Sequence, residues 1–273
     1  MRTIIVDPSR CLQCGDCMIA CHDEHYDNDW SPIAAPQGDA ACWIRIDQEE
    51  VASGNLVKVN RVPVMCQQCE NAACVAAAKD GAVYRRDDGI VIIDPVKAKG
   101  QKQVVKACPY DAVCWNEALQ LPQKCTMCAH LLDEGWKEPR CVTACPADAL
   151  RFVDMAELTE ENLYAPLEQL KPMRNDAPLV KYVKLPKPFV GGDVVDLKTG
   201  EAVQNVKVTA IHQVTGATAF GYSDAFGGFR VERLEPGFYT LMFEVPGYAF
   251  KKLTDVDLRH ALNVDEVELT ALA

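Results

Sequence analysis

A chain of 273 residues carrying a net charge of −11 has room for two modest hydrophobic cores and offers no basic face to a nucleic-acid backbone. All fourteen cysteines fall between Cys11 and Cys145, so a metal-rich front is expected ahead of an ordinary back. No stretch approaches the about 18 consecutive apolar residues of a membrane span, and any membrane association is expected to come through a partner.

In chain order, Met1-Arg-Thr-Ile-Ile-Val-Asp-Pro8 reads as a short strand and a turn rather than a secretory signal. Synthesis and metal loading are therefore expected in the cytoplasm, with export alongside a signal-bearing partner left open. The cytosol keeps thiols reduced, which argues against a disulfide framework.

Cys11-x2-Cys14-x2-Cys17-x3-Cys21 has the spacing of bacterial ferredoxins. Three close thiolates let one loop wrap three irons of a cube, and the fourth cysteine, on the helix that follows, points to a second cluster. Tetrahedral zinc sites usually draw two close cysteines from each of two separated knuckles, so the triplet favours iron–sulfur. His22 and His25, in Cys-His-Asp-Glu-His, read as a polar turn and not as ligands.

A second run, Cys66-x2-Cys69-x4-Cys74, precedes a hairpin pattern over residues 81–94 with Asp87-Asp-Gly89 at its turn, and then Cys108-Pro109. Cys125-x2-Cys128 and Cys141-x3-Cys145-Pro146 close the cysteine-bearing half. If the last cysteine of the first and last runs crosses to the partner cluster, Cys11, Cys14, Cys17 and Cys145 hold cluster 1, and Cys21, Cys125, Cys128 and Cys141 hold cluster 2. The middle runs supply Cys66, Cys69, Cys74 and Cys108 for cluster 3. A fourth cluster would need cysteines near Ala98, Gln101 and Val104 and at Ala78, none of which binds iron. Three [4Fe–4S] clusters therefore use twelve cysteines, and Cys42 and Cys114 are left over as small core residues. Lys124 and His130, beside the last loop, read either as exposed residues or as hydrogen-bonding neighbours that tune a cluster.

After Asp154 the chain turns proline-rich and charged, which suggests one short helix and a connecting arm. From Phe189 onward short strands alternate with turns at Gly191-Gly-Asp193, Lys198-Thr-Gly200, residues 223–228, Glu235-Pro-Gly237 and Val245-Pro-Gly247. Val206 to Ile211 and Phe229 to Leu234 alternate, so one face of each is expected to be buried, with Tyr239, Phe243 and Tyr248 read as core. The predicted fold class is α+β: a ferredoxin-like multi-cluster domain over 1–154, an arm over 155–187, and an all-β immunoglobulin-like or transthyretin-like sandwich over 188–273. The sandwich resembles carboxypeptidase-regulatory modules, which share an architecture and not a chemistry.

The order of the cysteine runs, with Gln123-Lys-Cys-Thr-Met-Cys-Ala-His130 and Pro139-Arg-Cys-Val-Thr-Ala-Cys-Pro146, resembles the iron–sulfur subunit of the dimethyl-sulfoxide-reductase family of molybdenum enzymes. The missing fourth cluster narrows the resemblance to small subunits of the pyrogallol–phloroglucinol transhydroxylase and resorcinol hydroxylase type, which also end in a β-domain. Asp23-Glu-His25 before Trp30, Cys69-Glu-Asn71, Cys108-Pro-Tyr110 and Trp115-Asn116 belong to the same resemblance. It implies a non-catalytic electron-transfer subunit bound to a large catalytic subunit, which alone carries molybdenum on two pterin guanine dinucleotides. Polyhydroxylated aromatics are the implied substrates, and a hydroxylase or dehydroxylase would also need an external electron carrier. The alternatives are the electron-transfer subunit of another molybdenum reductase, or a docking subunit whose clusters are mainly structural.

Overall fold

Thr3, Ile4, Ile5 and Val6 are all at most 1 % exposed, the burial of a strand covered on both faces. In the computed structural model, which describes residues 1–38, 43–53, 56–159, 165–170 and 176–272 (backbone only at 51–53 and 56), they lie in the central strand of a three-stranded sheet. The first elements are β1 (Arg2–Val6), α1 (Asp16–His25), β2 (Ile44–Ser53), β3 (Leu56–Met65), α2 (Ala73–Ala77), β4 (Val83–Arg85) and β5 (Val91–Ile93). There follow α3 (Lys102–Ala107), β6 (Val113–Asn116), β7 (Leu121–Lys124), α4 (Ala129–Asp133), α5 (Arg140–Thr143), β8 (Leu150–Asp154) and β9 (Lys181–Tyr182). Strand β1 takes β8 antiparallel on one side, with Ile4 opposite Phe152, and β9 parallel on the other, with Val6 opposite Tyr182. No helix among the described residues is long and apolar enough to cross a membrane.

The chain divides into two units, the first being Met1–Gln48 with Arg61–Leu185 and the second Glu49–Asn60 with Pro186–Ala273. Unit 1 is built from short pieces: α1 has 10 residues, α5 only 4, and the β4–β5 hairpin pairs three residues with three. Helices this short are not stable alone in water, so tertiary anchors must hold them. The hairpin expected over 81–94 is present, with Tyr84 opposite Ile92.

The arm differs from expectation. Its second half is built into unit 1: Val180, Tyr182 and Val183 are fully buried, and the Tyr182 hydroxyl donates to the Pro63 carbonyl at 3.0 Å. The apolar run that does this is hidden in sequence between Pro178 and Pro186, whose turn signals dominate the local pattern. Of the expected helix, the described residues contain a 3-10 turn at Met155–Glu157; residues 160–164 and 171–175 lie outside them.

Unit 2 holds β10 (Val190–Asp196), β11 (Lys207–His212), β12 (Thr218–Tyr222), β13 (Gly228–Val231), β14 (Phe238–Glu244), β15 (Lys251–Asp257) and β16 (Leu262–Leu269). They form two sheets, ordered β13-β10-β16 and β12-β11-β14-β15. Burial alternates along β11 and β14, as period-2 patterning requires, and Val208, Leu241 and Phe243 meet between the sheets at 0 % exposure. Gly191-Gly-Asp193 is not a turn but part of β10. A Cβ at Gly192 would stand 2.6 Å from the Asp265 carbonyl oxygen, so glycine here serves close approach of β16 at a register shift.

Candidate metal centres

The first loop is shaped by two left-handed residues, Gln13 and Gly15, which bring Cys11 and Cys14 round to the start of α1. Cys17, Cys21 and His25 follow at helical spacing, and all three are buried. Cys74 sits on α2, Cys141 on α5, and Cys108 just beyond α3. Between Cys125 and α4, Met127 and Cys128 are both left-handed, a coil tight enough to turn both thiols inward.

The thiols converge in three groups of four. Cys21, Cys125, Cys128 and Cys141 line a hollow of about 310 Å³ together with His25, Trp43 and Thr126. Cys66, Cys69, Cys74 and Cys108 line a second hollow of about 340 Å³ with Gln68, Val91 and Tyr110. Cys11, Cys14, Cys17 and Cys145 form the third group: the charges of Cys145 and Cys14 bear on both Cys11 and Cys17. None of the thirteen described cysteines is in a disulfide.

Burial, and then neighbouring thiols, push Cys17 up to about 12. Burial likewise lifts Cys69 and Cys128 to about 12 and Cys74 and Cys125 to about 11. As thiolates these groups would repel one another in a poorly solvated space, so the arrangement suits a thiophilic cationic core bound by all four sulfurs. Two buried donors point the same way. Trp43 Nε1 and Thr126 Oγ1 line the first hollow without a hydrogen-bond partner among the described residues, where cluster sulfur would accept from them. The donor sets therefore fit [4Fe–4S] clusters.

Backbone amides add to the fit. The Ala112 N–H donates to Cys108 Sγ at 3.4 Å and the Ala149 N–H to Cys145 Sγ at 3.3 Å, each across a loop with a left-handed aspartate, Asp111 or Asp148. Both loops read Cys-Pro-x-Asp-Ala, a repeat visible in the sequence whose meaning is the returning amide. The Met127 N–H makes the equivalent bond to Cys125 Sγ at 3.3 Å.

Several residues differ from expectation. His25 is not in a polar turn: it is 1 % exposed in α1, and its Nδ1 donates to the Cys21 carbonyl at 2.9 Å. Burial lowers its pKa to about 4, leaving a neutral ring. His22 is likewise in α1 and not in a turn, half-buried and stacked on Tyr26 at 4.7 Å. His130 and Lys124 are not surface residues, being 6 % and 2 % exposed. His130 Nε2 donates to Glu24 Oε1 at 3.0 Å and its ring stacks on Trp30 at 4.3 Å. Sequence spacing missed Trp43, which carries no motif and reaches the thiols only through the fold, and Thr126, which lies between Cys125 and Cys128 without being a ligand type.

Where a fourth group of thiols would stand, Ala98 and Val104 are fully buried in a small apolar cluster. Gln101 accepts from the Lys79 N–H at 2.9 Å and donates to the Lys97 carbonyl at 2.9 Å, so an amide side chain ties this region together. Cys114 donates to the Gln123 carbonyl and packs on the main core, in keeping with a small core residue. Cys42 lies outside the described residues.

Residues 57–155 match the family of 4Fe-4S dicluster domains and residues 190–270 that of carboxypeptidase regulatory-like domains. The pyrogallol hydroxytransferase small subunit of Pelobacter acidigallici is 36% identical over 265 residues, which cover 93% of this chain and 94% of that one. A dimethyl sulfoxide reductase iron-sulfur subunit of Halobacterium salinarum, itself named as putative, is 34% identical over 172 residues, 56% of this chain and 65% of that one. The thiosulfate reductase electron transfer subunit PhsB of Salmonella typhi is 36% identical over 146 residues, 54% and 72% respectively. With one such similarity running nearly the whole length of both chains, this chain belongs to the iron–sulfur electron-transfer subunits of the dimethyl-sulfoxide-reductase family of molybdenum oxidoreductases.

Proposed function

We propose that the chain is a three-cluster electron relay, non-catalytic in itself, bound to a large subunit in which molybdenum sits on two pterin guanine dinucleotides. Cluster 1 is held by Cys11, Cys14, Cys17 and Cys145, cluster 2 by Cys21, Cys125, Cys128 and Cys141, and cluster 3 by Cys66, Cys69, Cys74 and Cys108. The observation that carries this reading is the convergence of the thiols into three groups of four, drawn from elements far apart in the chain. When bound, such clusters supply reversible one-electron storage.

The protein's part is placement and screening. The charge of Cys17 bears on Cys141 and that of Cys66 on Cys125, which supports an order with the second group of thiols between the other two. Cys14 is exposed while Cys21, Cys125, Cys128 and Cys141 are buried, so the first group borders solvent and the middle one is shielded from it. The amides of Ala112, Met127 and Ala149 donate to ligand sulfurs, which favours the more negative, reduced state.

By its likeness to the pyrogallol hydroxytransferase small subunit, the complex acts on polyhydroxylated aromatics, as a transhydroxylase or hydroxylase. Its likeness to reductase subunits supports a second reading, the same relay serving another molybdenum reductase and an external electron carrier. The cytoplasm is the proposed compartment, with co-export through the partner as the alternative. Metal and sulfide analysis of the anaerobically purified complex tests the relay: about twelve irons per copy of this chain are expected, with molybdenum and a large partner. Zinc in place of iron overturns the cluster assignment, and a chain that copurifies with no molybdenum subunit overturns the proposed partner. Reduction and reoxidation of the clusters more slowly than turnover would favour a structural docking role instead.

A further inference from the structure

Lys124 ends β7 one residue before Cys125 and is 2 % exposed. Burying an ammonium is costly unless an anion answers it. Among the described residues its Nζ meets carbonyl oxygens and not a carboxylate: it donates to Val91, and to Cys125 at 3.1 Å. Those two carbonyls belong to residues that line different hollows. Val91 lines the one bounded by Cys66, Cys69, Cys74 and Cys108, and Cys125 lines the one bounded by Cys21, Cys128 and Cys141.

Gln68 knits the same partition from the other side. It is 1 % exposed, donates to the Cys125 carbonyl at 3.0 Å and accepts from the Val91 N–H at 2.8 Å. Lys124 is thus held in a rigid wall between two sets of thiols, where water cannot screen it. Its charge bears on Cys74 on one side and on Cys125 on the other. The charges acting on Cys11 and Cys17 are different ones: neighbouring thiols and, for Cys11, Arg61.

We propose that Lys124 is a shared counter-cation for clusters 2 and 3, a positioning residue that raises both of their reduction potentials together and leaves cluster 1 unaffected. The inference rests on the three-cluster reading. Reduction adds one electron to an already anionic, thiolate-bound group, and a fixed positive charge beside it stabilises the reduced form more than the oxidised one. Because one cation faces both groups, it lifts neighbouring potentials in step and keeps the transfer between them nearly level.

The test is a redox titration, followed by electron paramagnetic resonance, of the anaerobically purified native complex and of complexes carrying Lys124→Gln or Lys124→Arg. Glutamine keeps a donor for a carbonyl and loses the charge. It is expected to lower two of the three midpoints by at least tenfold in the reduction equilibrium, about 59 mV for a one-electron couple, with the third unmoved. Arginine is expected to hold all three near their native values. Three unmoved midpoints in the glutamine variant, a shift confined to one, or an equal shift of all three overturns the proposal. If the glutamine variant loses iron, an arginine variant with full iron and native midpoints still assigns the role to the charge; an arginine variant that loses iron as well overturns it. Fewer than about twelve irons in the native complex would sink the three-cluster reading itself, before any variant is compared.

Discussion

The two units are stabilised by different means. In unit 2 the core is Val, Leu and Phe, with Val194, Val208, Leu241 and Phe243 at 0 % exposure, carried on strands of four to eight residues. In unit 1 the buried cluster includes Cys17, Cys21, Cys66, Cys125 and Cys141, carried on loops and on helices as short as four residues. Every buried side-chain polar atom found without a partner among the described residues lies in unit 1, at positions such as His25, Trp43 and Thr126. Each such atom costs about 1–3 kcal/mol unless something answers it. The contrast teaches that the sandwich can be stable on apolar burial alone, whereas the front unit is organised around groups its own side chains do not supply.

The largest effect expected from that contrast is on removal of iron. Stripping the full chain anaerobically with a chelator should abolish hydrogen-exchange protection across β1, β8 and the short helices while β11 and β14 stay protected. Loss or retention of protection in both units alike would erase the distinction.

A narrower break is Cys66→Ala. It should remove the iron of one cluster, about four atoms of about twelve, and leave the other two clusters in place. Unchanged iron content, or loss of all iron from a folded chain, would contradict the grouping of Cys66 with Cys69, Cys74 and Cys108.

The converse substitution acts on the sandwich. Phe243 is fully buried and meets Phe229 edge-on at 5.5 Å. Phe243→Ala should cost unit 2 about 3–5 kcal/mol, read by denaturant unfolding, with iron content unaltered. Iron loss in this variant would show that the units do not stand independently.

The smallest effect is expected at Arg86, which grips Asp133 through both nitrogens at 2.5 and 2.9 Å and also reaches Asp88 at 3.0 Å. The guanidinium holds the Asp133 carboxyl below its ordinary range. Asp133 is half exposed, so Arg86→Lys, which gives up the two-pronged grip, should cost less than about 1 kcal/mol in thermal unfolding and leave the cluster spectra intact. A larger loss, or altered spectra, would mean that polar contacts in unit 1 carry weight here assigned to the thiols.

Much of the site was legible in the amino-acid sequence because thiol chemistry is local in its spacing: Cys11, Cys14 and Cys17 fall within seven residues and so must lie close together, and Cys-Pro at 108 and 145 marks where two runs end. The sandwich was legible too, since period-2 burial along β11 and β14 is written directly into alternating residues. Spacing says nothing about the groups packed behind the thiols. That Lys124 and His130 are buried, that His25 is a neutral helix residue, that Trp43 reaches the cysteines and that Val180 to Val183 closes a sheet beside β1 were decided only by the tertiary structure. Burial and charge environment depend on which distant segments fold over a residue, and no local pattern around it encodes that.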